Sequence, residues 1–190
     1  MSDESFPLPD DLPEPEDDGA ADHLPGATVP SISLPATDGE AIDLAALPGR
    51  VVVYAYPKTG RPDRDVIPDG WEAIPGARGC TPEACGFRDH HRELLDAGAA
   101  DVFGLSLQPT EYQREARDRL DLPFELLSDA GTALTDALGL PTFEVEGETF
   151  LERLTLVVAD GRVVHVFYPV FPPDEHAAEV VGWLEGVGGS

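Results

Sequence analysis

The chain has 190 residues, enough for one domain with a full core and too few for two ordinary ones. Its 37 acidic residues against 12 basic ones leave a formal charge of −25, which excludes nucleic acid as an expected ligand because phosphate would meet a repulsive field. No run approaches the roughly 18 apolar residues of a membrane span, and the start of the chain has neither the basic nor the apolar region of a secretory signal, so a soluble cytoplasmic protein is expected.

Residues 1–25, MSDESFPLPDDLPEPEDDGAADHLP, combine acids and prolines with no lysine, no arginine and no periodic apolar face. They read as a disordered acidic tail ahead of a domain over 26–190. The surplus of carboxylates also suits a salt-adapted proteome, in which they keep proteins hydrated. From Gly26 short β-prone runs flank a turn at Asp38-Gly39, and VVVYAY, Val51 to Tyr56, is the kind of continuous apolar run that fills a central strand. Pro57 ends it. The following KTGRPDRDVIPDGWEAIPGARG is too rich in glycine and proline for a regular element and forms a long loop.

Thr81-Pro82-Glu83 marks a helix start with Cys80 or Thr81 near the N-cap, and the helix is expected to run to about Asp96 with Gly98 as its stop. DVFGLSL reads as a strand, and TEYQREARDRL as a helix burying Tyr112, Ala116 and Leu120 at four-residue spacing. Phe124–Leu127 is a short strand and Thr132–Leu138 a short helix. RLTLVVADGRVVHVFYP is a hairpin through Asp160-Gly161, and a last helix from about Pro173 buries Ala177, Val180, Val181 and Leu184. Helices interleaved with strands plus a hairpin predict an α/β domain with a mixed sheet.

Cys80 and Cys85, the two cysteines of the chain, stand five positions apart. On an α-helix that spacing puts their Cα atoms roughly 8.6 Å apart, beyond the roughly 4.4 to 6.8 Å that a disulfide spans. The pair is therefore separate while the helix is formed and bonds only if its first turn unwinds. A thiol at a helix start faces free N–H groups and the positive end of the dipole, and a nearby arginine adds to this, so a depressed pKa is expected for Cys80. Arg78, Arg88 and Arg153 are the candidates. Such a thiolate attacks peroxides to give a sulfenic acid, which a second thiol traps as a disulfide. Zinc held by Cys80, Cys85 and His90 or His91 is disfavoured, since positions i, i+5 and i+10 of one helix point in different directions.

The segment GCTPEACGFRD is similar to the active-site segment of peroxiredoxins, most closely the peroxiredoxin Q or bacterioferritin comigratory protein type, whose pattern reads G-C-T-x-E-A-C-x-F-R-D. The resemblance extends over LPATDGEAIDLAAL, VVVYAYP, DVFGLSLQPTEYQREARDRLDLPFELLSD and RLTLVVADGRVVHVF. It implies a thioredoxin-like fold of the redoxin branch. It also implies a thiol peroxidase with Cys80 peroxidatic and Cys85 resolving, recycled by a thioredoxin-like dithiol and needing no metal, flavin or haem. Arg153 matches the arginine of the family's R-x-T motif, Glu83 its helix acid, and Arg88 the arginine of F-R-D. The sequence departs from the family at P-x-x-x-T-x-x-C: Pro57 matches the proline, Ala77 occupies the threonine position, and about sixteen extra residues precede Cys80. Thr59 is the favoured replacement hydroxyl, and the loop carrying Trp71 is expected to cover the thiol.

Other readings stay beside this one. Arg153 could make a surface ion pair, Arg88 could hold Asp89, and Glu83 could simply favour the helix dipole. His91, on a face with Phe87, Leu94 and Leu95, and His165 read as structural. The competing functions are a thiol-disulfide oxidoreductase without peroxidase activity and a copper metallochaperone. The first lacks C-x-x-C, and the second lacks a third soft ligand, since Met1 is the lone methionine. The expected state is a monomer.

Overall fold

The apolar run at Val51 becomes the middle of the sheet, as a strand buried on both faces must. The computed structural model describes residues 13–58 and 79–188. Its elements in chain order are β1 (Ser33–Pro35), β2 (Ala41–Asp43), β3 (Arg50–Ala55), α1 (Cys80–Asp89), α2 (His91–Asp96), β4 (Ala99–Ser106), α3 (Thr110–Leu120), β5 (Glu125–Ser128), α4 (Ala133–Leu138), β6 (Thr142–Val145), β7 (Glu148–Leu151), β8 (Leu154–Ala159), β9 (Arg162–Phe167) and α5 (His176–Gly188). The five-stranded sheet has the order β5-β4-β3-β8-β9. It is parallel from β3 through β4 to β5 and antiparallel from β3 through β8 to β9. The expected mixed α/β sheet is therefore present.

Successive side chains of a strand point to opposite faces, and β3 divides the core accordingly. Val51, Val53 and Ala55 pack with Leu34, Leu44, Leu134 and Leu138 on the face covered by β1, β2 and α4. Val52, Tyr54 and Tyr56 pack with Cys80, Phe87, Ala116, Val180 and Leu184 on the face covered by α1, α3 and α5. Gly104 of β4 makes room on that second face. A Cβ there would stand 2.5 Å from Leu126 Cδ2 and 2.9 Å from the Tyr54 ring, so the aromatic floor beneath α1 depends on the missing side chain.

Several expectations change. The helix from Cys80 does not run unbroken to Asp96. His90 leaves helical geometry at φ −99° and ψ 5°, and its imidazole nitrogen shares the Gly86 carbonyl, at 2.9 Å, with its own backbone N–H. On α3 the buried residues are Gln113, Ala116 and Leu120, with Tyr112 only half-buried. Gln113 is admitted because its amide donates to Ser106 Oγ at 3.0 Å and to the Leu127 carbonyl at 2.6 Å. Leu95, placed beside His91 in the reading above, is 40% exposed. The packed chain also begins before Gly26: Ala21 and Leu24 are buried in the core, and His23 Nε2 lies 2.9 Å from the Leu138 carbonyl. The β6–β7 hairpin was not anticipated, although TFEV and ETFL flank the turn residues Glu146-Gly147. Among the described residues no helix is long and apolar enough to cross a membrane.

Candidate active site

Antiparallel pairing sets Ala55 of β3 opposite Leu154 of β8. Continuing that register one step sets Arg153 opposite Tyr56, just past the C-terminal end of β3. The helix α1 starts at the same end. Its N-cap, Gly79, has φ 113°, a left-handed value that glycine adopts without the steric cost a side chain would carry. Cys80 is the first helical residue and Glu83 stands three positions on, so both side chains face the same way.

Arg153 joins them. Its Nη2 donates to Cys80 Sγ at 3.2 Å and its Nη1 to Glu83 Oε1 at 2.7 Å. Relative exposures of 5% for Cys80, 0% for Glu83 and 3% for Arg153 put the whole triad out of water. Among the described residues Glu83 Oε2 has no hydrogen-bond partner, so the guanidinium holds the carboxylate through its other oxygen. Burial raises the Glu83 pKa against the pull of Arg153, while the thiol and Glu83 hold Arg153 firmly in its charged form.

The depressed thiol pKa expected from the helix start is not found. Burial pushes Cys80 up, Arg153 pulls it down, the Glu83 carboxylate pushes it up again, and the Lys58 backbone N–H pulls it down, with a net upward shift. The reason is that desolvation of the buried thiolate outweighs the Arg153 guanidinium, whose charge is already shared with Glu83.

Beneath the thiol, Tyr54, Tyr56, Ala84, Ala116 and Leu120 form a closed apolar floor with no open volume. Tyr54 stacks on Phe87 with ring centroids 4.4 Å apart. The two tyrosines were missed as site residues, although the alternation in VVVYAY puts both on the helix-covered face. His176 was missed as well. It is buried, its Nε2 lies 2.7 Å from Thr155 Oγ1 and its Nδ1 3.0 Å from Glu179 Oε1. Its charged form would lower the pKa of Glu83. The second residue after Arg153 in the RLT motif was the signal that could have pointed to Thr155 and so to this neighbour.

Cys85 is buried within α1, and no disulfide joins it to Cys80. Arg88 is not brought to Cys80. Its Nε donates to Asp89 at 2.9 Å and its Nη1 to the Leu120 carbonyl at 2.9 Å, and its charge acts on Cys85. His91 is half-buried with its ring 5.8 Å from Phe124, and His165 stacks on Trp183 at 4.4 Å. Burial lowers the pKa of both. Thr59, Trp71, Ala77 and Arg78 lie outside the described residues. Among the described residues no three His, Cys, Asp or Glu side chains come together as a metal-binding set.

Comparison with known proteins adds to this geometry. Residues 24–181 match the family model for redoxin. Peroxiredoxin Bcp of Escherichia coli (strain K12) is 36% identical over 166 residues, which cover 84% of this chain and 94% of the relative. The chloroplastic peroxiredoxin Q of Oryza sativa subsp. japonica is 32% identical over 164 residues, covering 85% of this chain and 67% of the relative. Among solved structures, peroxidoxin BcpB from Mycobacterium tuberculosis is similar with a TM-score of 0.69 at 27% identity, over 86% of this chain and 97% of that one. Xanthomonas campestris peroxiredoxin Q is similar with a TM-score of 0.67 at 26% identity, over 87% and 96%. With a match that spans Cys80, Glu83 and Arg153 together, the chain belongs to the redoxin family, has its thioredoxin-like fold, and is a peroxidase among the peroxiredoxins of the Q and Bcp kind.

Proposed function

We propose that this chain reduces hydrogen peroxide and alkyl hydroperoxides with Cys80 as the peroxidatic thiol and Cys85 as the resolving thiol, and that a thioredoxin-like dithiol restores the pair. The observation that carries this reading is the Arg153 guanidinium donating to Cys80 Sγ at 3.2 Å while Glu83 fixes its other arm. The Cys80 thiolate attacks one peroxide oxygen; an S–O bond forms, the O–O bond breaks, and its electron pair leaves on the second oxygen as hydroxide or alkoxide, which takes up a proton. Arg153 and the N–H groups at the start of α1 stabilise the charge that develops on the oxygens. Because burial favours the neutral thiol, Arg153 also carries much of the task of making thiolate accessible.

The second step needs movement. Cys80 and Cys85 lie on one helix at a spacing that a disulfide does not bridge, so the first turn of α1 unwinds, breaking the Glu83 N–H to Gly79 carbonyl bond of 3.0 Å and the Glu83–Arg153 contact. Cys85 then condenses with the sulfenic acid, forming the S–S bond and releasing water. A dithiol reduces that bond by exchange and leaves as its own disulfide. Both thiols belong to a single chain, which supports a monomer as the working unit, and a reducing cytoplasm would supply the dithiol. Thr59 is the proposed hydroxyl of the site, and Arg88 is the proposed modulator of Cys85.

Rapid-mixing oxidation tests this directly. Wild type should consume one equivalent of hydrogen peroxide and turn over with thioredoxin and its reductase. Cys85→Ser should keep one rapid oxidation event and lose steady turnover, and Cys80→Ser should lose both. Undiminished turnover in Cys85→Ser would remove Cys85 from the cycle.

A further inference from the structure

A cavity of about 440 Å³ shares Arg153 with the thiol site. Its lining includes the carboxylates of Glu14, Glu16, Asp18 and Glu152, with Phe143 on an apolar side, and Arg153 is the one cation among the described residues that line it. Three of those carboxylates come from the segment ahead of the core, which here lies against the body of the protein. Tyr168 ties it down: its hydroxyl is 2.8 Å from Asp18 Oδ1 and 2.7 Å from Glu152 Oε2.

The Tyr168 hydroxyl stands between these two carboxylates. A phenol has one hydrogen, so it donates to one of the two carboxylates at a time. Asp18 is exposed, and the bond from Tyr168 lowers its pKa and so favours its charged form. Burial raises the Glu152 pKa, and the bond from the Tyr168 hydroxyl opposes that rise. Glu14, Glu16 and Asp18 place their carboxylates around the opening. Arg153 does not offset them, since its charge is matched inside the protein by Glu83.

We propose that this cavity is the approach by which substrate reaches Arg153 and Cys80, and that its acidic wall selects neutral hydroperoxides over hydroperoxides that carry a carboxylate. The inference rests on the peroxidase reading above and adds the substrate class. Hydrogen peroxide and uncharged organic hydroperoxides enter without electrostatic cost, and Phe143 offers an apolar surface to an organic group. An anionic substrate meets three like charges in a confined space, where low-dielectric walls focus the field.

The test compares two probes that differ only in charge, cumene hydroperoxide and its para-carboxylate, with hydrogen peroxide as the reference. At low salt the reduced protein should be oxidised by the carboxylate about tenfold more slowly than by cumene hydroperoxide, or slower still. The gap should narrow as salt rises, and should narrow at constant salt in a Glu14→Gln, Glu16→Gln, Asp18→Asn triple variant. A control triple, Glu111→Gln, Glu115→Gln, Asp118→Asn on α3, removes the same net charge away from the cavity and should leave the gap in place. Tyr168→Phe, which releases the segment without changing its charge, should narrow it. Equal rates for the two probes, or a gap that falls as much in the control as in the cavity triple, would overturn the selectivity while hydrogen peroxide still reacts. No oxidation by hydrogen peroxide would overturn the peroxidase reading and this inference together.

Discussion

Arg153 and Arg117 each hold a glutamate at the same distance and do different things with it. Arg153 reaches Glu83 at 2.7 Å beneath the start of α1, with side-chain exposures of 1% and 0%. Arg117 on α3 reaches Glu125 at the start of β5, also at 2.7 Å, with exposures of 21% and 30%. The geometry is equal and the surroundings are not. Water screens the α3 pair and solvates either partner alone, so such a pair contributes about 0 to 1 kcal/mol. The pair under α1 has no water to fall back on, and each of its charges is felt by the thiol beside it. Distance alone therefore says little about an ion pair; what its charges displace and what they face decide its effect.

The largest effect is expected at Arg153. Replacing it by Met should destabilise the protein by about 3 to 5 kcal/mol in chemical denaturation, because Glu83 is left as an unmatched buried charge, and should move the pH midpoint of Cys80 oxidation upward. Arg153→Lys keeps the charge and loses the planar fork, so it should fold more readily than the Met variant and still react more slowly than wild type. A wild-type oxidation rate in both variants would detach Arg153 from the chemistry.

Gly104→Ala comes next in size. The added methyl meets Leu126 and the Tyr54 ring at contact distances that no side chain tolerates, and overpacking of this kind costs about 1 to 3 kcal/mol. Thermal unfolding would register it. The cost should appear in stability while the pH midpoint of Cys80 stays in place, since no charge near the thiol changes.

Glu83→Gln separates the two roles of the buried carboxylate. Its negative charge raises the Cys80 pKa, so removing that charge makes thiolate easier to form. The pH midpoint of peroxide oxidation should therefore shift to lower pH, in the direction opposite to Arg153→Met. An upward shift would mean that Glu83 acts chiefly by orienting Arg153. The smallest effect belongs to the surface pair. Arg117→Ala should cost about 1 kcal/mol or less, and less again in high salt, with the Cys80 profile unchanged. A loss as large as that of Arg153→Met would end the distinction drawn between the two pairs.

What the sequence made legible was local in character. The continuous apolar run announced the central strand, Thr81-Pro82-Glu83 announced the helix start, and five-residue spacing announced two thiols that stay apart while the helix is formed. Resemblance, not spacing, supplied Arg153. The contact between Arg153 and Glu83 spans 70 positions, and no periodicity reports such a pairing. His176 escaped for the same reason, its partner Thr155 lying 21 positions away. Tyr112 and Gln113 were exchanged because hydropathy favours burying the tyrosine, whereas the available donors and acceptors at Ser106 and Leu127 favour the amide. The thiol pKa was misjudged in direction because the helix start and the arginine can be read from residue order, while the depth of burial that opposes them belongs to the folded molecule.

The most direct test of the account is intact mass and peptide mapping after the reduced protein meets one equivalent of hydrogen peroxide. The Cys80–Cys85 cycle predicts a loss of two hydrogens, with the bond mapped to Cys80 and Cys85, and a single added oxygen on Cys80 when Cys85 is serine. A wild-type protein that keeps both thiols, or that gains oxygen on Cys85 while Cys80 remains reduced, would contradict it.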